Sequence, residues 1–217
     1  MGLTREVWGH RFVLDDAQDR VVYNPARGFN IYQAVGQWMW MISGRSDYNF
    51  IRYYNPTANR FSYDLRQIEG AYGPRLFGAG AYRQIPRIIE SMQKKATSRR
   101  TVATIYDAGH DTYREEKKQE DGKGRTGEIP CTLSLQFLLR DARLHCITTM
   151  RSQDAYGLLP QDVFHFTMFQ ELVAASVGVE VGTYIHQAAS MHYYPERVPD
   201  LNPTPVSYTH LTLPTKA

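Results

Sequence analysis

Apolar residues change their spacing several times along this chain, and each change marks a predicted boundary. Residues 7–14 read as a strand closed by a turn at Asp15 and Asp16. Residues 29–43 are rich in Trp, Met and Ile and contain no breaker except Gly36, so they predict a largely buried helix that stops at Gly44. Residues 55–80 carry Tyr, Gly and Pro without a period and predict loop, with Tyr72-Gly73-Pro74-Arg75 inside it. Ile85, Ile88, Ile89 and Met92 then recur at helical spacing across residues 85–95.

The second half is richer in strands. Residues 101–106 form a short β-branched run, and residues 110–128 are charged, Gly-containing and aperiodic, which predicts a solvated loop or insertion. Residues 131–139 and 144–150 predict a hairpin around Arg140-Asp141-Ala142-Arg143. Asp162 reads as the cap of a long apolar helix running to Val177, with Gly178 as its stop, and residues 181–187 read as a further strand. Helices beside a largely antiparallel sheet predict an α+β fold, with one domain over residues 1–205 and no internal repeat.

Composition narrows the class. The 217 residues suffice for one domain with a sizeable core. A content of 42% hydrophobic and 22% charged residues is that of an ordinary soluble globular protein, and a net charge of +3 is too small to predict nucleic-acid binding. No run resembles a signal peptide or approaches the ~20 apolar residues of a membrane span, so a cytoplasmic location without a membrane partner is expected. Cys131 and Cys146 make no framework of paired spacings and are expected as reduced thiols. Residues 206–215 read VSYTHLTLPT, which resembles a one-frame translation of a transposon-end adapter used for sequencing libraries. Residues 206–217 are therefore expected to be non-native, with native sequence stopping near Pro205.

The chemistry is concentrated between Pro130-Cys131, Arg151-Ser152-Gln153-Asp154 and Leu159-Pro160-Gln161-Asp162, with His192 and Tyr194 further on. A thiolate beside an arginine is what covalent attack on a nucleotide base requires, because the cation lowers the thiol pKa and the guanidinium also binds phosphate. A lone cysteine is more commonly a buried structural thiol, and an arginine pair such as Arg99 and Arg100 more commonly serves solubility. The order of the motifs favours the chemical reading.

That order, Arg99-Arg100, Pro130-Cys131, Arg151-Ser152-x-Asp154, Gly157-Leu158-Leu159-Pro160-x-Asp162 and His192-x-Tyr194, resembles the thymidylate synthase family, which includes pyrimidine-nucleotide hydroxymethylases. The likeness covers residues 4–197. It implies a thymidylate synthase-like fold, 5,10-methylenetetrahydrofolate as cofactor, and a pyrimidine nucleoside monophosphate (dCMP, CMP or dUMP) as substrate. It also implies a homodimer in which Arg99 and Arg100 reach the partner subunit's phosphate site. Cys131 would add to C6, Arg151 and Ser152 would hold the phosphate, and His192 and Tyr194 the sugar 3′-hydroxyl. Tyr72 would help remove the C5 proton through ordered water, and Asp154 would lie near the folate ring and the nucleophile.

Asp162 carries the choice of base. Thymidylate synthases hold Asn at this position, whose amide accepts from N3–H and donates to O4 of uracil. A carboxyl accepts from the 4-amino group of cytosine and, when protonated, donates to N3. Hydroxymethylation of a cytidylate is therefore the predicted activity, with methylation of dUMP as the alternative. The sequence departs from the family at Gln37, where a catalytic Glu is expected, and at Thr132, where a His usually follows the cysteine. Gln cannot accept and return a proton, which makes an impaired nucleotide-binding relative a further reading. The family's arginine loop upstream of Thr4 and its folate-closing segment beyond Pro205 are expected outside this chain.

Overall fold

A computed structural model describes residues 4–24, 27–112, 117–118, 124–125 and 127–198. The order is β1 (Arg5–Leu14), α1 (Ile31–Ile42), α2 (Tyr48–Tyr54), α3 (Tyr72–Phe77), α4 (Gln84–Lys94), β2 (Val102–Thr104), α5 (Ala108–Asp111), β3 (Lys117–Lys118) and β4 (Gly124–Arg125). Then come β5 (Thr132–Arg140), β6 (Arg143–Met150), β7 (Gln153–Asp154), α6 (Leu159–Val177) and β8 (Glu180–Tyr193). The main sheet runs β1-β8-β6-β5-β2, with β7 beside β8, while β3 and β4 pair separately. β1–β8, β6–β5 and β5–β2 are antiparallel, whereas β8 runs parallel to both β6 and β7. The architecture is α+β, with a mixed, largely antiparallel sheet as expected from sequence.

The parallel step exists because α6 carries the chain from one end of the sheet back to the other. Val163, Phe166, Phe169, Val173 and Ala174 on α6 are buried in a core shared with Leu135, Phe137, Leu144 and Tyr184 of the sheet. The register between β6 and β8 slips between Leu144 and Cys146. Gln170, fully buried on α6, donates its Nε2 to the carbonyls of Leu144 at 2.8 Å and Gly182 at 2.9 Å. A glutamine is needed there because carbonyls that leave a ladder inside a core must find another donor.

Gly36 is the breaker that does not break α1. A Cβ there would sit 2.2 Å from the ring of Tyr54, so the residue permits close approach of α2. Glycine costs a helix interior about 0.5–1 kcal/mol, and the packing offsets it. The β5–β6 hairpin turns on Asp141 and Ala142, with φ of 50° and 59°, the left-handed pair demanded by a tight two-residue turn.

Two expectations are corrected. Residues 55–80 are not all loop, since Tyr72 begins α3, and α2 precedes them as an unpredicted helix whose cap is Asp47 accepting from Phe50 N at 3.0 Å. Asp162 does not cap α6. The helix starts earlier, after Leu158 and with Pro160 in its first turn, which places Asp162 within the helix. Most of the predicted insertion at 110–128 and the expected tail at 206–217 lie outside the described residues.

Candidate active site

Cys131 stands just ahead of β5, held by pairing with the end of β6, where Arg151 N donates to Cys131 O at 2.8 Å. The same arginine donates Nε to Pro130 O and Nη2 to Ile129 O, both at 3.0 Å. Arg151 therefore braces the loop that carries Cys131 with two of its donors while its side chain remains exposed. Burial pushes the Cys131 thiol up from its ordinary value, and the Arg151 charge, which lowers it, does not overcome burial and the nearby Asp162 and Glu128. Arg151 acts on the thiol in the direction expected from sequence, and burial outweighs it.

Cys131 opens into a cavity of about 370 Å³. Gln37 of α1, Tyr72 of α3 and Asp162 of α6 line the same cavity, with Trp40, Ile51 and Leu158 among its apolar walls. A space of this size with few convergent polar groups is typical of a small-molecule site. Gln37 Oε1 accepts from Gln161 Nε2 at 3.3 Å and from Gln33 Nε2 at 3.5 Å, so the amide is fixed from two helices. The Tyr72 hydroxyl lies 2.9 Å from Thr132 Oγ1. Burial, followed by the charges of Asp162 and Glu128, raises the phenol well above its ordinary value, so it acts as a neutral hydroxyl.

Asp162 sits between the cavity and the sheet. Its Oδ2 accepts from Gln153 Nε2 at 2.8 Å. Burial pushes its carboxyl up to about 7, against the lowering effect of Gln153 and with help from the charge of Asp154. Both protonation states are therefore populated near neutral pH. His165, one turn along the helix, donates Nε2 to Ala34 O at 3.0 Å, and burial holds it neutral down to about 4.

A second group gathers where β6, β7 and β8 end. Ser152 Oγ lies 3.4 Å from His192 Nδ1, and the rings of His192 and Tyr194 meet edge to face at 5.3 Å. The parallel β7–β8 register sets Asp154 opposite His192, which brings distant sequence motifs to one place. Asp154 Oδ1 accepts from Gly157 N at 2.9 Å and Tyr156 N at 3.1 Å. It shapes the loop into α6 and does not line the cavity. Gly157 is required beside it, since a Cβ would meet Asp154 Oδ2 at 2.7 Å. Arg99 and Arg100 are exposed between α4 and β2 and do not line the cavity.

Sequence reasoning missed Gln153, Gln33, Gln161 and His165. Gln33 lies four residues before Gln37, one helical turn away, and that spacing was available as a signal. Gln153 gave none, because its partner Asp162 is reached only after the loop folds back.

The thymidylate synthase family model matches residues 3–215. The chain belongs to the thymidylate synthase family. It is 31% identical over 180 residues to a deoxyuridylate hydroxymethyltransferase of Pseudomonas phage M6, covering 82% of this chain and 48% of that protein. It is 25% identical over 219 residues to a thymidylate synthase of Francisella philomiragia, covering 98% of this chain and 78% of that one. The chain spans about half the length of the phage hydroxymethyltransferases it matches. The fold is shared with the crystal structure of thymidylate synthase from T4 phage, with a TM-score of 0.71 and 19% identity over 90% of this chain and 69% of that one. No helix among the described residues is long and apolar enough to cross a membrane.

Proposed function

We propose that the chain carries the catalytic site of a folate-dependent 5-hydroxymethylase acting on a cytidine nucleoside monophosphate, dCMP or CMP. The observation that carries this reading is the convergence of Cys131, Tyr72, Gln37 and Asp162 on one cavity. Its apolar wall, with Trp40, Ile51 and Leu158, fits a flat pterin ring stacked beyond a pyrimidine. 5,10-Methylenetetrahydrofolate, when bound there, supplies the one-carbon unit.

Cys131 Sγ adds to C6 of the base, and C5 becomes nucleophilic and takes up the one-carbon unit. The C5 proton leaves to water ordered by the neutral Tyr72 hydroxyl and the Gln37 amide. Loss of that proton expels tetrahydrofolate and leaves an exocyclic methylene at C5, water adds to it as a hydroxymethyl group, and elimination of Cys131 Sγ then restores the C5–C6 double bond. Phosphate binding close to Arg151 and Ser152 fits the exposed guanidinium, and His192 with Tyr194 fits a sugar hydroxyl. Arg99 and Arg100, exposed and outside the cavity, suit a role toward the partner subunit of a homodimer.

Asp162 favours cytosine because N3 of cytosine is a far stronger base than O4 of uracil. A carboxyl poised near 7 shares its proton with N3 and accepts from the 4-amino group. A second reading, action on dUMP, is favoured by the relatives named deoxyuridylate hydroxymethyltransferase. Side-by-side turnover of dCMP, CMP and dUMP with methylenetetrahydrofolate distinguishes the two. The expected product is 5-hydroxymethylcytidylate, and turnover of dUMP alone would overturn the choice. Formation of dTMP with dihydrofolate would overturn hydroxymethylation.

A further inference from the structure

Gln153 lies on the two-residue strand β7, is 2% exposed, and does not line the cavity. Its Nε2 has two hydrogens and uses both, toward Asp162 Oδ2 at 2.8 Å and Asp154 O at 3.4 Å. Its Oε1 is buried with no partner. An unpaired acceptor in a core is costly, and an apolar side chain of the same length would avoid it. Reversal of the amide brings Oε1 to the Asp162 oxygen that Nε2 now holds. In that orientation Gln153 accepts a hydrogen bond from a neutral Asp162, and in the present one it donates to the ionised form. Lysine would hold only the carboxylate, and leucine would hold neither form.

We propose that Gln153 is a positioning residue that holds Asp162 in either protonation state and so sets how it addresses the pyrimidine edge. With Oδ2 engaged by Gln153, Oδ1 makes no hydrogen bond among the described residues and remains for the ligand. The other groups acting on this locus are the carboxylate of Asp154 on β7, Cys131 before β5, the phenols of Tyr72 on α3 and Tyr184 on β8, and Glu128, which acts on Cys131 and Tyr72. His165 on the same helix stays uncharged above about 4. The inference deepens the function proposed above and rests on Asp162 reading the base.

The test uses the full chain. In the unaltered protein, the side-chain ¹⁵N resonance of Gln153 is expected to titrate with the same midpoint as the Asp162 carboxyl ¹³C resonance. An amide indifferent to that midpoint overturns the proposal. In Gln153→Met, which keeps the length and removes the donor, the Asp162 midpoint is expected to rise by about one pH unit, the effect of about a tenfold change in equilibrium. The ratio of dCMP to dUMP affinity is expected to change in Gln153→Met but not when the same change is made on an Asp162→Asn background. An equal effect on both backgrounds overturns the coupling. If the unaltered protein binds neither nucleotide, the functional reading fails, and the two resonances still decide whether Gln153 and Asp162 act together.

Discussion

Replacing Asp162 with Asn keeps the shape of the side chain and removes the proton. The Asn carbonyl takes the place of Oδ2 and accepts from Gln153, while its amide nitrogen faces the cavity as a permanent donor. In the native protein burial moves the Asp162 carboxyl from 3.8 to about 7. A group raised in this way contributes stability that is fully present below the unfolded value near 4 and is lost as pH rises through the folded value near 7. A shift of about three pH units corresponds to roughly 4 kcal/mol, and water in the open cavity lowers this to about 2–4 kcal/mol. Asp162→Asn has no such group, so the stability of the native protein relative to the variant is expected to fall by that amount between pH 4 and pH 8. Urea unfolding at several pH values, followed by tryptophan fluorescence, measures the difference. A difference that stays flat across this range refutes a buried, proton-binding Asp162. The same variant is expected to move the kcat/KM ratio from dCMP toward dUMP by roughly 5- to 150-fold, the range of about 1–3 kcal/mol for a mismatched buried polar edge.

Cys131→Ser is expected to abolish tritium release from C5-labelled nucleotide while nucleotide affinity changes less than about threefold, within ~0.7 kcal/mol, as equilibrium dialysis would read. Gln37→Glu is expected to raise tritium release severalfold or more if a proton-accepting carboxylate is what the site lacks, and no gain would show that the amide suffices. Asp111→Ala removes the carboxylate that accepts from Arg75 Nη2 at 2.9 Å in a pair where both residues are buried. It is expected to cost about 3–5 kcal/mol by chemical denaturation, because Arg75 is left as an uncompensated buried charge.

The fold was legible where a single period ran long enough. The β5–β6 hairpin and the stop of α6 at Gly178, with φ of 80°, were read nearly to the residue. The cap of α6 was misplaced because Asp162 looks like a capping residue in sequence, whereas its carboxylate is used by Gln153 and the helix begins at Leu159. α3 was hidden by Gly73 and Pro74, yet Gly73 is where the helix meets α1, since a Cβ there would lie 2.8 Å from Met41 O. The cavity-lining Cys131, Tyr72, Gln37 and Asp162 were all named from motif order. Motif order carries no information about how deeply a thiol is buried, and burial is what outweighs the effect of Arg151 on Cys131.

The pairing of β1 with β8 joins Arg5 to Tyr193 and Leu14 to Tyr184. On the ribosome, β1 has no native strand beside it until some 170 more residues, from Leu14 to Tyr184, have been made. At about 5–20 residues per second this interval lasts on the order of ten to forty seconds. During that time Phe12 and Leu14, which end up in the core, have no native partner on β8. Every residue that lines the Cys131 cavity is translated before β8, so the sheet beneath the cavity is completed only after the cavity wall itself has been made.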